Sequence, residues 1–139
     1  MKPKILLRIA ATLMFLHTMG HTLGALSWKN APNAAVAQVV NVMLANHFNF
    51  MGHSVSMGSF YDGYGFTMIL VLLLVSTMLW VLSSQTNNNL AVRFTRLLGV
   101  FLLMMGVLEY IYFFPFAAAF SLLAGICTVW ALFVRAPVE

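Results

Sequence analysis

Apolar residues run almost unbroken through four stretches of the chain, roughly residues 5–26, 64–82, 97–112 and 116–134. Each comes close to the ~20 residues that cross ~30 Å of hydrocarbon at ~1.5 Å per residue, so the pattern predicts four membrane-spanning helices. The run from Leu97 to Val134 is too long for a single crossing and must fold back. Pro115 in "YFFPFAAAF" marks the turn, because proline disfavours helix at the residue before it and suits the first turn of a new one. A signal peptide is the alternative for the first stretch, which follows the basic tip "MKPK". Arg8 interrupts its apolar region and no clear small-residue cleavage site follows, so a retained span is expected.

Between the first two spans lies the one long connection, residues 27–62. Val36, Val40, Met43, His47 and Phe50 recur there at offsets of 4, 3, 4 and 3. That rhythm predicts a short amphipathic helix after Pro32, lying on the bilayer surface or over the bundle mouth. Residues 83–96, "SSQTNNNLAVRFTR", are polar and are read as a plain connector. The expected fold is therefore all-α: one transmembrane domain over residues 1–139, a four-helix bundle with a short amphipathic helix in its outer loop.

Composition strengthens this reading. Of 139 residues, 62% are hydrophobic and 7% are charged, against about 25% charged in soluble domains. The formal charge of +4 suggests a nucleic-acid partner until the cations are placed. With four spans, Lys2, Lys4, Arg8, Arg93, Arg96 and Arg135 share one side and only Lys29 lies on the other. The positive-inside rule then puts both ends in the cytoplasm and explains the basic balance with no nucleic acid. The single cysteine, Cys127, allows no intrachain disulfide or CxxC pair, which argues against a thiol–disulfide enzyme.

Orientation gathers the polar chemistry on the outer side. His17 and His21 occupy the second half of an outward-running span, His47 and His53 the outer loop, Asp62 the entrance to the second span, and Glu109 the late part of the third. Counted along their spans, His17 and Glu109 each lie about 18 Å from the inner end, and they meet if those helices touch. His17, Gly20, His21 and Gly24 form one helical stripe, and the G-x-x-x-G pair invites close helix approach. A second stripe, Ser54, Gly58, Tyr61, Asp62 and Gly65, is its expected partner, with Glu109 closing the site.

Three chemistries fit these residues. The His17/His21 spacing is that of two metal ligands on consecutive turns, which Asp62, Glu109, His47 or His53 would complete for a transition metal such as zinc, copper or iron. Thr18 follows His17 where a zinc hydrolase would carry glutamate, and no CxxCH haem signature exists. Acid–base work on a lipophilic substrate is the second, with Glu109, Asp62 and His17 as candidate catalytic groups; a histidine beside a buried carboxylate exchanges protons near neutral pH. Tyr61, Asp62, His47, His53 and Glu109 would then bind ligand, as in an isomerase or cyclase open to the outer leaflet. The third is structural: intramembrane His and Glu pair and hold helices in register, as in an accessory subunit docking a membrane-protein partner or a homo-oligomer. Asp62 in "YDGYGF" carries its own alternative, a helix N-cap. Transport is disfavoured by size and by the lack of an inverted repeat.

"LHTMGHTLG" together with "FMGHSVSMGSFYDGYGF" resembles a family of small four-span bacterial inner-membrane proteins of uncharacterised function. The resemblance covers the first half of the chain. It implies a four-helix membrane protein with no assigned activity, and marks His17, His21, Gly52, Tyr61, Asp62, Gly63 and Gly65 as positions of interest. A looser likeness, in topology alone, is to DoxX-type proteins. The arginine-rich site of trimeric glutathione-dependent membrane enzymes has no counterpart, since the arginines here lie at the cytoplasmic ends.

Overall fold

The computed structural model describes residues 2–134, so Arg135 and Glu139 lie outside the described residues. Four helices are long and apolar enough to cross a membrane: α1 (Pro3–Ser27), α3 (Met57–Leu82), α4 (Asn89–Tyr112) and α5 (Pro115–Phe133). A shorter helix, α2 (Ala34–Ala45), and a hairpin of β1 (His47–Phe50) and β2 (His53–Ser56) fill the long connection.

Three boundaries depart from the sequence reading, each for a local reason. The amphipathic helix stops at Ala45, because Asn46 is extended and serves as its C-cap. His47 and Phe50, expected on the helical stripe, therefore lie on a strand paired antiparallel with β2, Phe50 opposite His53. The two-residue loop explains that pairing: Met51 and Gly52 have φ of 51° and 87°, the signature of a type I′ hairpin turn, and Asn49 Oδ1 accepts the Gly52 N–H at 3.0 Å. Second, α3 starts at Met57, well before the expected 64. Ser56 Oγ accepts the Ser59 N–H while Ser59 Oγ accepts the Ser56 N–H, a reciprocal cap of box type. Third, the connector is shorter than expected, because Asn88 Oδ1 caps Leu90 and Ala91 and starts α4 at Asn89. The turn at Pro115 is as tight as the sequence implies: Pro115 opens α5, with Phe113 and Phe114 alone between the helices.

Met51 is the one residue other than glycine with positive φ among those described. Asn tolerates that conformation and leads the preference for such turns. Met51→Asn should stabilise the hairpin by about 0.5–1 kcal/mol, read as slower amide exchange at Phe50 and His53.

The described chain divides into two compact units. One takes α1 through Thr18 and the chain from Val71 onward; the other is Met19–Leu70. In the first, Leu6, Leu7, Ala10, Ala11 and Met14 of α1 share a core with Leu72, Val75 and Leu79 of α3, Leu98 and Leu102 of α4, and Ala124 and Ala131 of α5. Ser76 Oγ donates to Ala11 O at 2.9 Å, tying α3 to α1 inside that core. Helices α4 and α5 close on glycine: a Cβ at Gly106 would lie 2.6 Å from Leu122 Cγ, and one at Gly125 would lie 3.0 Å from the Leu103 backbone N. In the second unit α2 meets the start of α3 at Gly58, where a Cβ would lie 3.2 Å from Met43 O.

Candidate functional site

In the first unit three helices bring polar side chains together at one point. His17 comes from α1, Glu109 from the last turn of α4, and Ser121 from α5. His17 Nε2 lies 3.6 Å from Glu109 Oε1, within ion-pair range, with the two side chains 7% and 12% exposed. That separation is beyond a well-formed hydrogen bond. On the other side of the imidazole, His17 Nδ1 and Ser121 Oγ share a hydrogen bond of 3.2 Å. The Phe120 ring lies 5.9 Å from the imidazole, and Phe116 meets Phe120 edge-on at 5.1 Å.

Proton counting defines what this arrangement holds. If Ser121 donates to Nδ1, the ring proton sits on Nε2 and points at Glu109. If Nδ1–H donates to Ser121, Nε2 faces the carboxyl bare unless one of the two carries a further proton. A lone pair facing a carboxylate is repulsive, so a protonated Nε2 is the favoured neighbour of Glu109 Oε1, and the Ser121 hydroxyl stands within reach of both the imidazole and the carboxyl. Among the described residues no donor lies at hydrogen-bonding distance from the second carboxyl oxygen, Glu109 Oε2, which is buried, and the Ser121 hydroxyl is the neighbour that acts on this carboxyl. An orphaned acceptor of this kind costs about 1–3 kcal/mol.

The remaining sequence candidates belong to the second unit. His21 Nε2 donates to Gly65 O at 3.2 Å, so that nitrogen is a donor and unavailable as a metal ligand in this arrangement. Asp62 is not a helix N-cap. It lies inside α3, where Oδ1 accepts Trp28 Nε1–H and Oδ2 accepts Lys29 Nζ–H, each at 2.7 Å. Tyr61 packs on Trp28, ring centres 4.6 Å apart, and Lys29 Nζ stands 5.4 Å over the same indole. This group fastens the end of α1 to the start of α3. Gly65 makes room for it by admitting Ala25, whose Cβ would be 3.3 Å from an added methyl. The G-x-x-x-G pair expected at that contact stays open: nothing lies within 4 Å of a Cβ built on Gly20 or Gly24.

His47 lies on β1 with Nδ1–H donating to Ala45 O at 3.1 Å, and His53 is exposed on β2. Among the described residues no group of three His, Cys, Asp or Glu side chains is placed to hold a metal ion. His17 and Glu109 supply two donors in one place.

No family model, curated protein or solved structure matches the chain. Its chemistry is therefore read from side-chain geometry.

Four participants escaped the sequence reading: Ser121, Phe120, Trp28 and Lys29. Ser121 and Phe120 sit in an apolar run with no spacing that links them to α1 or α4. Lys29 is the lone cation that the sequence reading places on the outer side, and Asp62 the lone aspartate there, which was the available signal.

Proposed function

We propose that this chain is an integral membrane protein of a bacterial inner membrane, both ends cytoplasmic, whose outer-side centre binds a small lipophilic molecule through a hydrogen-bond donor. His17, Glu109 and Ser121 form the centre. The observation that carries the reading is Glu109 Oε2, buried and without a partner. Ionisable side chains inside a membrane are expensive and default to functional roles. A purely structural network gains nothing from leaving one strong acceptor unfilled, whereas a binding centre needs such an acceptor. A hydroxyl or amine arriving from the bilayer would donate to Oε2 while the His17 imidazole faces the other carboxyl oxygen.

The rival reading, an interhelix network in an accessory subunit, rests on the His17–Ser121 bond, which joins α1 to α5. A metal centre is the third, with His17 and Glu109 as two of its ligands. One preparation separates all three. Protein purified in mild detergent should carry close to one lipophilic molecule per chain by organic extraction and mass spectrometry. Glu109→Gln should lose it, because the amide of Gln presents an N–H where the ligand's donor must bind. Stoichiometric zinc, copper or iron by elemental analysis, lost in His17→Ala, would replace this reading with the metal one. Absence of both molecules would leave the structural network.

A further inference from the structure

We propose that the molecule bound at this centre is a lipid-soluble phenol of hydroquinone type, whose ring enters along Phe116 and Phe120; this rests on the donor-ligand reading above. The centre selects the polar end by what it lacks. Glu109 Oε2 is an acceptor without a donor. To an ionised carboxyl a ketone or quinone oxygen brings another acceptor and leaves Oε2 unfilled, so the ligand's polar end is a donor. Among lipophilic donors, a phenolic hydroxyl, with an ordinary pKa of about 10, is far more acidic than an alcohol. It makes the stronger, charge-assisted hydrogen bond to a carboxylate in a low-dielectric site.

The aromatic side chains select the body of the ligand. Phe116 and Phe120 stand four residues apart on α5, one turn of helix, in an edge-on pair with centres 5.1 Å apart. Phe120 in turn lies 5.9 Å from the imidazole of His17. The three rings form a continuous series that begins on a residue 69% exposed, Phe116, and ends on the buried pair. A flat ring sliding along it exchanges one aromatic neighbour for the next, and an alkyl chain does not gain those contacts. The way in is short. Glu109 is three residues before the last residue of α4, about 5 Å along the axis. Ser121 is six residues past Pro115, about 9 Å. No side chain caps the start of α5 between them, and Phe113 and Phe114 at the turn are exposed.

The test uses the full chain in lipid nanodiscs and three probes with matched ten-carbon tails: decylubiquinol kept reduced under argon, decylubiquinone, and 1-decanol. Binding is measured by equilibrium dialysis, corrected for partition into empty nanodiscs. Decylubiquinol is expected to bind at one per chain, about tenfold tighter than 1-decanol, the factor that one aromatic pair supplies, and at least about tenfold tighter than decylubiquinone, which lacks the hydroxyl donor. Glu109→Gln should abolish that preference for the reduced ring. Phe116→Leu, at an exposed position that leaves the fold intact, should bring decylubiquinol toward 1-decanol. Equal binding of decylubiquinol and 1-decanol, both lost in Glu109→Gln, overturns the phenol assignment and leaves the donor-ligand reading standing. Decylubiquinone binding as tightly as decylubiquinol overturns both, since the carboxyl would then not be reading a donor. Binding of none of the three at this centre also overturns the assignment, and extraction of the native molecule then decides the broader reading.

Discussion

Gly106→Ala should lower the stability of the detergent-solubilised protein by about 1–3 kcal/mol, the range for forcing an extra methyl into a packed core. The added Cβ would lie 2.6 Å from Leu122 Cγ and 3.0 Å from the Leu122 backbone N. A side-chain tip can rotate away from such a clash, but a backbone nitrogen in mid-helix moves only with the whole of α5. Gly125→Ala should behave alike, since its Cβ would lie 3.0 Å from the Leu103 backbone N on the facing helix. The comparison that gives this force is Gly24→Ala. Nothing lies within 4 Å of a Cβ there, so the methyl meets no obstacle and helix propensity favours it by up to about 1 kcal/mol. Melting temperatures of the three variants, taken in one detergent, read the contrast directly. Loss of stability in Gly24→Ala with none in Gly106→Ala would place the close helix contact at the G-x-x-x-G pair instead.

His17→Ala should be the costliest single change at the centre. It leaves the Glu109 carboxyl buried without the imidazole that faces it, its only ion-pair partner among the described residues, and removes the acceptor or donor that Ser121 uses. Removing one member of a buried ion pair costs about 3–5 kcal/mol in soluble proteins because the other charge stays behind. An ordinary interhelical hydrogen bond in a membrane protein is worth only ~0.6 kcal/mol. A measured loss near 3 kcal/mol would therefore assign the effect to the stranded carboxyl. The double variant His17→Ala/Glu109→Met should recover most of the loss, and the cycle should give a coupling of about 2 kcal/mol or more. Simple additivity would mean that His17 and Glu109 do not share a proton.

Much of the architecture could be read from hydropathy, because four long apolar runs and one proline leave few alternatives. Pro115 located the α4–α5 turn through the missing N–H and fixed φ. The hairpin was not legible. Its stripe Val36, Val40, Met43, His47 and Phe50 keeps helical spacing past the true end of α2, and only Asn46 and the Met51–Gly52 turn break it. The early starts of α3 and α4 were hidden for a similar reason: their caps, Ser56 with Ser59 and Asn88, lie in polar stretches where many residues are able to cap.

At the site, depth along a span was the useful coordinate. It set His17 and Glu109 level, and they stand 3.6 Å apart. Helix rotation was the coordinate the sequence did not carry. One stripe was assumed to take His17 and His21 to the same neighbour, yet His17 turns to Glu109 and Ser121 while His21 turns to Gly65. Tilt and local packing decide that angle, and a single sequence does not encode them in its spacing.

The melting temperature of Glu109→Met in delipidated detergent decides whether the centre receives a ligand or clamps the helices. If Glu109 is held in place to receive a ligand, the unliganded protein carries an unfilled acceptor that methionine removes, and His17 keeps its bond to Ser121. A melting temperature equal to or above that of the wild type in the same delipidated state is expected, with the stabilisation by bound lipophile gone. A fall of many degrees in the delipidated variant would contradict it and make the His17–Glu109–Ser121 network a structural clamp.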